Sequence, residues 1–287
     1  MCLAAIGDAV RFLLARQSPD GAWRDFALPV GAACCWTTAY TLPRVAAAAA
    51  LVGCDIRPAL RAAAEHLRRH ATPHGWGYNT ACPADADSTA HALLALPDAH
   101  PRHAAALARF FLREGGVRTY RWPPPGHGWG AAHPEVTATA VRALRGWLPS
   151  DHALLRAGLA WLATGRAAYW WDAPHYLPLE LLRLGLPVAD WPPTAPSAFD
   201  EALALECTIL RGDPARVDPL LALRLADGSW PCAPILRLPG PAGSFMQRFA
   251  DERRVFTTAT ALSALVRATG SGDGAAAVGR SGLTWLV

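Results

Sequence analysis

The sequence predicts an all-α protein, an (α/α)6 barrel in which six helix pairs close into a toroid. Three observations carry that prediction. A tryptophan turn recurs at a 53-residue period, two kinds of helical segment alternate along the chain, and no run alternates apolar and polar residues like a half-buried strand.

The turns come first. Trp23, Trp76 and Trp129 each belong to a glycine turn, DGAW at 20–23 and HGWG at 74–77 and again at 127–130, with both intervals 53 residues. Tyr169, Trp170 and Trp171 follow at a shorter interval as a degenerate unit, and DGSW at 227–230 restores the signature. After each turn an irregular stretch rich in Gly, Pro or Cys leads to an Ala- and Leu-rich segment that usually opens with threonine. These are WTTAYTL from Trp36, STAHALLAL from Ser88, EVTATAVRAL from Glu135 and FTTATALSAL from Phe256. HYLPLELLRL from His175 and FDEALALECTIL from Phe199 take the other two places. Between them lie amphipathic segments such as 56–70, 103–112 and 152–163, with arginines on the outward side. Helices apolar on most sides form an inner ring, and the amphipathic ones an outer ring. Unpaired N–H groups where the inner helices begin favour carboxylates there, so the mouth of the barrel is the place to look for chemistry.

The 287 residues are 52% apolar and 17% charged, which supplies a sizeable core and excludes a disordered chain. The longest apolar stretch, 45–53, is too short to span a bilayer, and Asp8 and Arg11 interrupt what would otherwise be an apolar secretory segment. A soluble, cytoplasmic protein is expected. All 27 basic residues are arginine, the net charge is only +4, and no basic stripe interleaved with aromatics argues for nucleic acid. Seven scattered cysteines without a C-x-x-C pair suggest neither a disulfide framework nor a thiolate zinc site.

QSPDGAW, residues 17–23, resembles the QW repeat of squalene–hopene cyclases and related class II terpene cyclases, complete at Gln17, Asp20, Gly21 and Trp23. DGSW keeps Asp227, Gly228 and Trp230 but has Arg224 in place of glutamine, and the HGWG turns keep glycine and tryptophan. Such a turn is a stabilising device. DADSTA, residues 85–90, resembles the D-x-D-D-T-A motif in which these cyclases keep their proton donor. Asp85, Asp87, Thr89 and Ala90 match, Asp87 falls at the donor's place, and Ser88 replaces the third aspartate, which in the family holds and polarises the donor. The resemblance implies that residues 1–287 form a single barrel domain, equivalent to one half of a two-barrel cyclase. Its cavity would be closed by the barrel itself, by a second copy or by a separate partner domain.

Protonating an alkene needs a neutral carboxylic acid in a dry site. Two acids two residues apart at a helix start supply one, because burial and like-charge repulsion keep a proton on the pair. Asp87 is the expected acid, Asp85 its tuning partner, and His133 at the next inner-helix start the expected donor to the conjugate base, with Glu135 beside it. The plainer reading makes Asp87 or Ser88 a helix cap and Asp85 a solvated loop acid. A carbocation cavity should be lined by aromatic faces. Trp36, Trp170, Trp171, Tyr176 and Phe199 are the candidates, with Glu135 and His175 as polar members, whereas Asp172, Asp200 and Glu201 read more simply as caps. The Pro/Gly-rich loop 234–245 reads equally as a lid or an inert connection.

The leading expectation is an enzyme that protonates an alkene of an isoprenoid or polyene to start cyclisation or isomerisation. No metal or cofactor is expected, apart from Mg2+ if the substrate carries a diphosphate. Protein prenyltransferase β-subunits share the barrel but hold zinc through Asp, Cys and His, and no D-x-C occurs at an inner-helix start here. A non-catalytic lipid-binding or scaffold barrel is the third reading. An apolar substrate makes peripheral membrane contact plausible, although no amphipathic anchor stands out.

Overall fold

The computed structural model describes residues 1–123, 128–165, 167–194, 196–238 and 247–270. Helix α1 (Cys2–Arg16) leads through a hairpin of β1 (Asp25–Leu28) and β2 (Gly31–Ala33) into α2 (Cys35–Ala47). Outer and inner helices then alternate: α3 (Arg57–Arg69), α4 (Ala86–Ala95), α5 (Pro101–Ala108), α6 (Pro134–Leu144), α7 (Ala153–Leu162) and α8 (Tyr176–Arg183). The chain continues through α9 (Ala198–Leu210), α10 (Asp218–Ala222), a second hairpin of β3 (Leu236–Leu238) and β4 (Gln247–Phe249), and α11 (Val255–Gly270).

Packing closes the ring. Helix α2 lies on α4, α4 on α6, α6 on α8, α8 on α9, α9 on α11, and α11 returns to α2, so six inner helices form the α/α barrel that the repeat predicts. Outside them stand α1, α3, α5, α7 and α10. Residues 184–194, where a sixth outer helix would fit, run without regular structure, because Pro187, Pro192 and Pro193 remove helical N–H donors. The two hairpins leave no alternating pattern in the sequence because strands of three or four residues are too short to show one.

One device recurs at four of the turns. The backbone N–H of Trp23, Trp76, Val117 and Trp230 donates to the hydroxyl of Thr38, Thr89, Thr137 and Thr258, at 2.9, 3.0, 2.8 and 3.2 Å. Each threonine is the fourth residue of its inner helix, which explains why those segments open with threonine. The indole N–H groups of Trp23, Trp76 and Trp230 reach the carbonyls of Leu13, Leu67 and Leu220 in the preceding outer helix, all at 2.7 Å. Gln17 completes the first turn by donating to the carbonyls of Gly21 and Ala59. The glycines are required. Gly21 has φ +87°, and a Cβ there would stand 2.2 Å from the Ala62 carbonyl oxygen; Gly115 has φ +100° with the Ala157 carbonyl oxygen at 2.4 Å.

This pattern corrects the third repeat. Its turn is Gly115–Gly116–Val117, and Trp129 does not close it. The second 53-residue interval is therefore a coincidence of spacing, and Trp129 lies in a short 3-10 turn, Gly128–Gly130, facing the cavity described below.

The ring is filled at its centre. Phe256 stacks on Tyr40 at 3.7 Å between centroids, on Trp36 at 4.9 Å and on Trp171 at 5.3 Å, while Tyr176 and Phe199 pack on Trp171 at 4.5 and 5.3 Å. Where the inner helices end, Arg142 and Arg183 grip Glu180 at 2.9 and 2.6 Å, and Arg183 also reaches Glu206 at 2.7 Å. Burial pushes Glu180 up, but the two arginines outweigh it and hold its carboxyl at about 2. Arginines at helix C-termini complement the helix dipole, and this network closes the end of the barrel away from the mouth.

Candidate active site

A cavity of about 470 Å3 opens at the mouth, above the central aromatic layer. Trp36 and Trp171 form part of its floor, while Tyr78, Tyr120, Trp129 and Trp170 supply further aromatic wall. Leu28 and Val30 of the first hairpin and Leu236 and Leu238 of β3 complete the apolar lining. Its polar groups are few, as is usual where a small apolar ligand binds. Asp85, Asp87, Ser88 and Glu135 are the principal ones.

Asp85 is the N-cap of α4. Its carboxylate accepts 2.7 Å hydrogen bonds from both the backbone N–H and the hydroxyl of Ser88. Burial raises its proton affinity and the Ser88 donors pull it back, leaving it at about 7. The serine at the third acid's place thus binds the first acid. Asp87, in the first turn of the same helix, is free of that capping task. About 22% of its side chain is open to the cavity, and its Oδ2 accepts a 2.8 Å hydrogen bond from Trp36 Nε1. Burial pushes Asp87 up to about 8, the adjacent Asp85 charge adds to the shift, and the Trp36 donor opposes it. A carboxyl of that affinity is protonated at neutral pH.

His133 does not reach this pair. It is the N-cap of α6, its Nε2 bonds the Gly128 carbonyl at 2.8 Å, and its ring stacks on Tyr169 at 4.0 Å. Ring adjacency of α4 and α6 was a sound expectation, but a cap residue's rotation about its own helix is not fixed by that adjacency. The imidazole near Asp87 belongs instead to His91, one turn along α4, with Nε2 3.8 Å from Asp87 Oδ1. Burial holds His91 well below the ordinary histidine range, so the ring is neutral. The spacing of Asp87 and His91 by four residues was a signal available in the sequence.

Glu135 lines the cavity from the first turn of α6. Its Oε1 accepts from the backbone N–H groups of Tyr169 and Trp170, at 2.5 and 2.8 Å, while Oε2 has no hydrogen-bond partner. Burial raises its proton affinity. Trp36, Trp170 and Trp171 also line the cavity, as the sequence suggests, but three other candidates do not. His175 is turned to Asp200, with Nδ1 3.0 Å from Oδ2, and Tyr176 and Phe199 lie buried in the layer against Trp171. Their helices, α8 and α9, bring their first turns to the ring's centre and not to the cavity wall. Of the loop at 234–245, Leu236 and Leu238 line the cavity, and 239–245 lie outside the described residues.

No protein-family model and no curated protein matches the chain. Solved structures do. A variant of the type II terpene cyclase MstE from Scytonema, in complex with its substrate geranylgeranyl dihydroxybenzoate, is 26% identical with a TM-score of 0.77 over 94% of this chain and 98% of that one. A protein from Actinoplanes is 25% identical, TM-score 0.74, over 94% of this chain and 100% of that one. An ent-copalyl diphosphate synthase from Streptomyces platensis shares the fold at 18% identity and TM-score 0.56, with 82% of this chain covering 50% of that one. The first two matches run over nearly the whole of both chains, and the third over half of the larger enzyme. Among the described residues no helix is long and apolar enough to cross a membrane. With an aromatic cavity lined by an acid pair on the first turn of α4 and a type II cyclase matched over 94% of the chain, this is a class II terpene cyclase-like enzyme whose described residues form an α/α barrel.

Proposed function

We propose that Asp87 protonates a terminal alkene of a polyprenyl chain bound in the cavity and so starts cyclisation. The observation that carries this assignment is a carboxyl on the wall of an apolar aromatic cavity with an indole N–H on one oxygen, whose proton affinity burial raises. Trp36 Nε1–H occupies Oδ2, leaving Oδ1 to carry the transferable proton. As the proton moves to the alkene carbon, the π electrons form the new C–H bond and a carbocation appears, while negative charge develops on a carboxylate that the indole N–H already faces. Asp85 raises the proton affinity of the pair, and neutral His91 sits where it can position Oδ1. The faces of Trp36, Trp129, Trp170 and Trp171 stabilise successive cations without capturing them. The reaction ends when a carbon-bound proton leaves, and the unpartnered Oε2 of Glu135 is the carboxylate oxygen available to accept it.

One barrel supplies all of these groups, which supports residues 1–287 acting as a single α/α barrel catalytic domain. Proton transfer from Asp87 needs no metal; a diphosphate-bearing substrate would bring Mg2+ with its head group. A polyprenyl chain carrying an aromatic acid, like that bound by the Scytonema enzyme, is the first substrate class to test. Trp122 and Val30, 79% and 58% exposed at the cavity rim, support transient contact with a membrane from which an apolar substrate is drawn. None of the seven cysteines is in a disulfide, which supports a reducing cytoplasmic setting.

The test is incubation of the purified protein with polyprenyl arenes and polyprenyl diphosphates, with mass spectrometry for products isomeric with the substrate. Cyclic isomers from the wild type and none from a folded Asp87→Asn variant are expected. Isomer formation by Asp87→Asn, or none by the wild type across both classes, overturns the assignment.

A further inference from the structure

Away from the cavity, the fold gathers three residues that the sequence keeps apart. Cys34 caps α2, Cys35 is its first residue, and His66 lies in the last turn of α3. The two Sγ atoms are 3.9 Å apart, and one ligand atom from each of the three residues falls within 4.8 Å of the others. All three are buried, with His66 fully so. None of them lines the substrate cavity.

Two observations are those a metal would account for. Neither ring nitrogen of His66 makes a hydrogen bond of good geometry, its polar neighbours being the Cys34 thiol and Asp20, although an imidazole without exposed surface loses its hydration in full and should regain it from a neighbour. The sulfur spacing is the second. Two thiolates bound tetrahedrally at Zn–S distances of about 2.3 Å stand about 3.8 Å apart, close to the separation found here. Asp20 Oδ2 lies 3.5 Å from His66 Nδ1 and is itself gripped by Arg24 at 2.6 and 2.9 Å, which places a fixed carboxylate beside the ring. Such a carboxylate orients a ligating imidazole.

We propose that Cys34, Cys35 and His66 supply three ligands of a zinc site, whose fourth tetrahedral position a water would fill. Binding releases the two thiol protons, and the thiolates balance the charge of Zn2+, so the buried site is neutral. The ion ties the first turn of inner helix α2 to outer helix α3 and to the first tryptophan turn. Trp36, the next residue along α2, is thereby held at its place. Sequence inspection misses the site because C-C followed by a histidine some thirty residues on matches no zinc spacing. It becomes visible only once α3 folds back on α2.

Elemental analysis of the full chain, purified without chelator in reducing buffer, should find close to one zinc per molecule, with most of it lost from Cys35→Ser and from His66→Gln. Refilling chelator-stripped wild type with Co2+ should give thiolate-to-metal charge-transfer bands and the intense visible bands of a tetrahedral site. Zinc added back should raise Tm by about 5 °C or more, as expected for a ligand well above its Kd. If the variants do not fold, the wild-type measurements decide. Wild-type protein that takes up neither zinc nor cobalt, or variants that retain zinc at the wild-type level, overturns the proposal. Metal content is read without any cyclase assay, so the two readings fail independently.

Discussion

Trp36 Nε1 donates a 2.8 Å hydrogen bond to Oδ2 of Asp87, joining the first turn of α2 to the first turn of α4 across the inner ring. Because the indole also forms part of the cavity floor and stacks on Phe256, the donor is held rigidly with respect to the acid. A hydrogen bond to a group that becomes charged is worth roughly 1.5–3 kcal/mol. Trp36→Phe keeps an aromatic ring and removes only that donor. We expect kcat to fall by about ten- to a hundredfold, measured under saturating substrate in a folded variant. An unchanged kcat would show that the bond does not stabilise the conjugate base.

The pH profile should carry opposite signatures of the two neighbours of Asp87. Activity requires its protonated form and is lost as pH rises through about 8. Asp85→Asn removes the adjacent negative charge that helps to raise Asp87, so the alkaline limb should move to lower pH. Trp36→Phe removes a donor that lowers it, so the same limb should move up.

Stability should follow from the same shift. An aspartate in the unfolded chain titrates near about 4, whereas Asp87 titrates at about 8 when folded, so the native state binds the extra proton between those values. Stability falls as pH rises across that window. Asp87→Asn cannot ionise, so its Tm should equal or exceed that of the wild type, with a difference that grows from about pH 4 to about pH 8 and then levels off. Thermal scans at several pH values check this, and a constant difference would contradict it.

Trp76 and Trp129 share the motif HGWG but should behave as different kinds of residue. Trp76 is fully buried with its indole bonded to Leu67, so Trp76→Ala should cost about 3–5 kcal/mol in urea unfolding. Trp129 is partly exposed and faces the cavity, so Trp129→Ala should cost about 1 kcal/mol or less and alter turnover or product pattern instead. Equal destabilisation by the two would restore Trp129 to the repeat.

Glu135→Gln retains Oε1 as acceptor for Tyr169 and Trp170 while removing the charge. Consumption of substrate should persist, and the ratio of alkene isomers or water-captured alcohols should change in chromatographic product analysis. An unchanged product ratio would remove Glu135 from the terminal step.

Much of the fold was legible because it is written in local chemistry. Gln17, Gly21 and Trp23 announce a turn that only glycine can make beside the Ala62 carbonyl, and the threonines that open inner helices turn out to be its hydrogen-bond acceptors. The acid pair was legible for the same reason: Asp85, Asp87 and Ser88 lie within one helical turn, so their mutual contacts follow from sequence spacing. Beyond one turn that logic fails. His133 starts the correct neighbouring helix but points to Gly128, and Trp129 matches the period while Val117 fills the turn.

By itself the sequence determined the alternating helices, most of their tryptophan turns and the placing of the two acids in one helical turn, since each depends on residues close along the chain. The tertiary structure decided which aromatics face the cavity, that His91 stands beside Asp87, and that two cysteines of α2 meet a histidine of α3. Those outcomes depend on how helices rotate about their own axes when they pack. The free energy that fixes such rotation comes from burying side chains of distant segments against each other, and no short window of sequence contains both partners.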